Sequence, residues 1–146
     1  AIAEEIEKIT CGLLKSVMEL KPKPHWEPKR KGIPELNKLS QEERNHIIKN
    51  NPDYGTILCR CEEISKGEIL DALRSTIPCK TVDGVKRRIR AGLGRCQGSF
   101  CSPQIIKLIH AETGLDIEEI TKKGHHSYLL AEETKPTDGR EKHANL

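Results

Sequence analysis

Apolar residues recur at three- and four-residue steps through the first twenty positions: Ile2, Ile6, Ile9, Leu13, Val17 and Leu20. Glu4, Glu7, Lys8 and Lys15 lie off that stripe, so the period predicts an amphipathic helix over 1–20. Cys11 aligns with Leu14 and Met18 on a smaller stripe and is expected to be a packing residue. The pattern then breaks. Between Lys21 and Gly32, Pro22, Pro24 and Pro28 remove backbone donors and bias their neighbours to extended conformations. This stretch is expected to be a linker or strap, with Trp26 either solvated or anchored on another surface. Ser40-Gln41-Glu42-Glu43 is a capping box that opens a short helix to about Lys49. Asn50 to Gly55 is turn chemistry, and Thr56-Ile57-Leu58 is a brief strand or extended arm.

Helical spacing resumes at Ser65, where Ser65-Lys66-Gly67-Glu68 forms a second capping box. The helix it opens runs to Ser75, buries Ile69, Leu70 and Leu73, and is stopped by Pro78. A second helix is predicted from near Thr81 to about Arg90, with Val82, Val85 and Ile89 inward and Gly92 and Gly94 as its terminators. Ser102-Pro103 places a capping residue before a proline at the first helical position, opening a third helix that Gly114 closes. Asp116-Ile117-Glu118-Glu119 caps one more short helix, and the pattern fades after His126. The predicted fold class is mainly α: a small helical domain built on a helix-turn-helix, preceded by a helix and an extended linker and followed by a disordered tail.

Composition sharpens this. Hydrophobic residues are 35% and aromatic residues 3%, too little for one core under all 146 residues. A compact part flanked by loosely held segments is therefore expected. Net charge is +3, too mild for wholesale nucleic-acid binding. No run approaches the roughly eighteen apolar residues of a membrane span, and no signal peptide is legible, so a soluble cytoplasmic chain is expected. Because Ala1 opens the chain, the numbering is expected to begin inside a longer polypeptide.

Cysteine spacing carries the chemistry. Cys59-Arg60-Cys61 and Cys96-Gln97-Gly98-Ser99-Phe100-Cys101 are separated by thirty-four intervening residues, each pair directly before a helix start. Helix N-termini offer unpaired N–H groups and a favourable dipole, a suitable setting for an anionic thiolate-bound metal centre. Four soft thiolates suit an iron–sulfur cluster or a structural zinc. Zinc knuckles ordinarily use wider pairs than Cys-x-Cys, so spacing favours iron–sulfur, with Gly98 letting backbone amides approach the centre. Disulfides are disfavoured in a reducing compartment, and four unligated core thiols would leave the close pairing without a reason. Cys79 fits neither pair and is left outside the site, and His125-His126 reads as surface.

Lys86, Arg87, Arg88, Arg90 and Arg95 form a basic run before the second pair. Three readings stand: a nucleic-acid patch, which lacks interleaved aromatics; electrostatic compensation of an anionic cluster; or a solvated helix face. Arg60 and Arg95, adjacent to ligands, are the candidates for tuning.

These stretches together resemble a known family. Ile57 to Ser65, Glu68-Ile69, Asp83 to Arg88 and Gly92 to Cys101 resemble the bacterioferritin-associated-ferredoxin-like (BFD-like) [2Fe-2S] domain. The version they are most similar to lies at the C-terminal end of FAD-dependent oxidoreductases of the anaerobic glycerol-3-phosphate dehydrogenase type. The resemblance implies that Cys59, Cys61, Cys96 and Cys101 ligate one [2Fe-2S] cluster. It also implies that 1–20 ends a flavin domain, 21–55 is linker and short helix, 56–124 is the cluster domain and 125–146 is a flexible tail. FAD would then sit in the parent protein, with no catalytic or flavin-binding residue in this chain. The expected partners are that flavin domain and a downstream electron acceptor, with no nucleic acid and no transmembrane segment. The competing expectation is a zinc-stabilised interaction or nucleic-acid-binding module; a metal-free redox-sensing thiol site is a third.

Overall fold

The computed structural model describes residues 2–27, 29 and 32–131. Glu132 to Leu146, most of the expected tail, lie outside the described residues. The chain divides into two units, Ala1–Gly32 and Ile33–Leu146. The first carries helix α1 (Ile2–Lys15), five residues shorter at its C-terminal end than the stripe predicts and without a buried residue. Its stripe is open to solvent: Ile6 is 58% and Val17 84% exposed. Trp26 is likewise exposed.

The second unit is mainly α. A 3-10 turn at Leu36–Lys38 leads to helix α2 (Gln41–Asn50), capped by Ser40 as its sequence predicts. A second 3-10 turn, Pro52–Gly55, buries Tyr54, whose O–H donates to Asp71 Oδ2 at 2.5 Å. The Tyr54 ring lies where a Cβ on Gly67 would be, 2.4 Å from its Cδ2, so only glycine lets the ring pack on the next helix. Strand β1 (Ile57–Cys59) pairs antiparallel with β2 (Ile64–Ser65), Ile57 opposite Ser65 and Cys59 opposite Ile64. The expected arm is thus one side of a hairpin, whose second strand no alternation announces.

Helices α3 (Lys66–Leu73), α4 (Val82–Ile89) and α5 (Ser102–Thr113) pack on one another. Ile69, Val85, Ile105, Ile109 and Ile120 are at most 1% exposed at their centre, each contributing about 2 kcal/mol of burial. The core includes Cys59 and Cys101. Arg74 forks onto Glu112 with two bonds of 2.6 Å, tying α3 to α5.

Helix ends differ from expectation in two places. Helix α4 stops at Arg90, which itself takes the left-handed conformation (φ 68°) ahead of the glycines. Helix α5 begins at Ser102, leaving Cys101 as its N-cap residue and Pro103 one position further in. The cause is the tight turn before it, where Ser102 N–H already bonds the Gly98 carbonyl at 2.8 Å. Past α5, Gly114 closes the helix in the left-handed region and a 3-10 turn follows at Ile117–Glu119. Thr121 then pairs with Tyr128 across a tight turn, and the N–H groups of Val82 and Asp83 donate to Thr121 and Lys122. Among the described residues, no helix is long and apolar enough to cross a membrane.

Candidate metal centre

Two loops form the site. The first is the hairpin turn between β1 and β2, ended by Glu63 in the left-handed region (φ 54°). It holds Cys59 buried at the strand end and leaves Arg60 and Cys61 exposed. The second joins α4 to α5 and is wound by Gln97 (φ 50°) and Gly98 (φ 86°). Successive bonds close it: Gln97 N–H to Gly94 O at 2.8 Å and Ser99 N–H to Cys96 O at 3.0 Å. Gly98 cannot be replaced cheaply, because its φ disfavours a side chain and a Cβ would lie 2.6 Å from Ser102 Oγ. The loops touch at Gly94, where a Cβ would fall 2.4 Å from Cys61 Cβ. Gly94 is not in the left-handed region; close approach is what requires it there.

Across the loops the Cys61 thiol interacts with Cys96 and the Cys59 thiol with Cys101, on which the charge of Cys96 also bears. The Cys61 thiol, then the backbone N–H groups of Gly98 and Phe100, hold Cys96 below the usual thiol range. Burial pushes Cys101 up to about 12, with the charge and hydrogen bond of Cys59 and the charge of Cys96 adding to it. Mutual repulsion among crowded, partly buried sulfurs resists removal of the last proton unless a cation compensates. The donor set therefore fits a thiolate metal centre. Among the described residues, no group of three or more His, Cys, Asp or Glu is placed to hold a metal ion. Two pairs of thiolates suit a two-iron cluster, whose four cysteine ligands are divided between two metals.

Of the other candidate residues, Arg95 is exposed beside Cys96, and Arg60 lines a groove with Leu36, Gln41, Arg44, Tyr54 and Glu63. Cys79 is buried in the core, and burial raises its thiol pKa. The basic run is largely engaged within the chain: Lys86 pairs with Asp83 at 2.9 Å, and Arg88 donates to Ser75 and to the carbonyls of Ala72 and Ile77. Arg90 reaches Glu62, 2.9 Å away on the first loop.

Spacing alone did not disclose two supports and one exposed aromatic side chain. Glu62, besides holding Arg90, accepts from Asn37 Nδ2 at its backbone carbonyl. The Glu68 carboxylate, in a residue 2% exposed, accepts from the Ser65 N–H and Oγ–H at 2.7 Å each and from Leu36 N–H at 3.3 Å, fastening the preceding turn to α3. Phe100, inside the second loop, stands 82% exposed. The Glu68 capping box was legible; the long-range reach of these residues carried no local signal.

Residues 57–111 match the family model of the BFD-like [2Fe-2S] binding domain. Over 134 residues the chain is 41% identical to a glycerol 3-phosphate dehydrogenase of Caloramator mitchellensis, covering 91% of this chain and 28% of that protein. It is 42% identical over 57 residues to an opine oxidase component of Rhizobium meliloti, 39% of this chain and 12% of that one. An anaerobic glycerol-3-phosphate dehydrogenase component of Haloferax volcanii is 33% identical over 54 residues, 37% of this chain and 9% of its own. The chain thus spans well under a third of the length of these relatives. No solved structure matches it. With both cysteine pairs inside the matched span, residues 57–111 belong to the BFD-like [2Fe-2S] binding domains.

Proposed function

We propose that this chain is the electron-transfer module of an FAD-dependent dehydrogenase of the glycerol-3-phosphate type, relaying electrons between a flavin and an acceptor. The observation that carries the reading is the meeting of Cys59 with Cys101 and Cys61 with Cys96, two loops delivering four thiols in pairs. Kinship with a glycerol 3-phosphate dehydrogenase over 91% of the chain supplies the parent. A bound [2Fe-2S] cluster accepts and releases one electron at a time.

The chain's own part is positioning and electrostatics. Cys59, Cys61, Cys96 and Cys101 are the ligands, and Gly98 permits the turn whose amides face Cys96. Arg60 and Arg95 place positive charge beside the ligands, favouring the reduced state. Helices α3 and α4 serve as the helix-turn-helix that carries both loops. Residues 1–20 belong to the end of the flavin domain, whose surface would cover the solvent-facing stripe of α1. Residues 21–55 connect that domain to the cluster domain at 56–124. FAD and the substrate bind in the parent polypeptide, in the cytoplasm.

Anaerobically purified protein should show visible absorption that bleaches on reduction, with about two irons and two sulfides per chain. Stoichiometric zinc without visible bands would replace this reading with the structural module. Absence of any metal under strictly anaerobic handling would refute the ligand set.

A further inference from the structure

Arg90 presents a puzzle of placement. It ends α4 in the left-handed conformation (φ 68°, ψ 1°), a position that helices ordinarily give to glycine because a Cβ is disfavoured there. Here the guanidinium Nε donates to Glu62 Oε2 at 2.9 Å, crossing from the second ligand loop to the first. Glu62 follows Cys61 directly in sequence and its side chain is only 18% exposed. Its Oε1 lies 3.1 Å from where a Gly94 Cβ would sit, the same point that Cys61 Cβ approaches to 2.4 Å. The carboxylate thus stands where the two loops meet, and the Glu62 carbonyl is held by Asn37 Nδ2 at 3.4 Å.

We infer that Glu62 and Arg90 form a charged clamp that joins the two ligand loops and sets the reduction potential of the cluster they hold. The inference rests on the [2Fe-2S] reading and adds two positioning residues to it. Because Arg90 is 64% exposed, the pair contributes little to folding stability. Its consequence is electrostatic. While paired, the two charges nearly cancel beside an anionic centre. Loss of Arg90 leaves an uncompensated carboxylate next to Cys61, which disfavours the added electron. Loss of Glu62 leaves an uncompensated guanidinium, which favours it.

The test is a redox titration of the cluster-loaded full chain, followed optically, for wild type, Glu62→Gln, Arg90→Gly and the double variant. Arg90→Gly also relieves the left-handed strain, so its fold is retained. The expected result is a higher potential for Glu62→Gln, a lower one for Arg90→Gly and a return toward wild type in the double variant. Arg90→Lys, which keeps the charge, should stay near wild type. Both single variants should also surrender iron to a chelator faster than wild type. Single variants that shift the same way, or do not shift, overturn the proposal while leaving the cluster reading intact. A wild-type chain that takes up no iron and sulfide overturns the cluster reading, and the clamp with it.

Discussion

Cysteine identity in this chain does not by itself separate ligand from filler. Cys79 and Cys101 are both buried, and burial raises the pKa of both thiols. What distinguishes Cys101 is company: Cys59 and Cys96 bear on it, whereas Cys79 faces core and the charge of Arg88. Cys96→Ala should therefore abolish iron uptake, while Cys79→Ala should keep full iron and lose only about 1 kcal/mol of stability. Equal iron loss in both, by metal analysis after anaerobic reconstitution, would overturn the assignment. Gly94→Ala should behave like Cys96→Ala for a different reason, since its new Cβ would collide with Cys61 Cβ at 2.4 Å and force the loops apart. An iron content equal to wild type would show that the loops yield.

At the scale of the element, two capping boxes with the same local pattern do different work. Ser40 and Glu43 cap α2 at an exposed helix start. Ser65 and Glu68 cap α3 in the interior, where Ser65 is fully buried and Glu68 is 2% exposed. Removing a buried hydroxyl strands the Glu68 N–H and loosens a carboxylate that also holds Leu36 N–H. Ser65→Ala should cost about 2 kcal/mol in urea unfolding, at the top of the range for caps, and Ser40→Ala about 0.5 kcal/mol. Comparable losses would mean that burial does not amplify the cap. Since β2 ends at Ser65, the stronger cap also anchors the hairpin that presents Cys59 and Cys61.

Across the whole molecule, the core and both cysteine pairs belong to the second unit, between Ile33 and Ile120. Helix α1 buries none of its residues, so deletion of 1–32 removes no part of that core. The shortened chain should unfold cooperatively within about 0.5 kcal/mol of the full chain, by chemical denaturation, and take up the same iron. A broad transition or lost iron would show that the first unit supports the second.

Local chemistry was readable before folding. Capping boxes at Ser40 and Ser65, helix-breaking prolines, the terminating Gly114 and the two close cysteine pairs all act through neighbours within four or five residues, so their meaning survives without a third dimension. The helical class and the thiolate character of the site followed from them. What the chain could not disclose locally was everything joining distant segments. Strand β2 offers only Ile64 and Ser65, too short for any alternation, and becomes a strand because β1 lies beside it. Gly94 reads as a helix terminator, yet Arg90 ends the helix and Gly94 is needed for the approach of Cys61. The cross-loop pairing of thiols and the bond from Arg90 to Glu62, twenty-eight residues apart, exist only once α3, α4 and α5 close on their shared core. Sequence determined which groups were available and their local backbone; tertiary packing decided which sulfurs and which charges face one another.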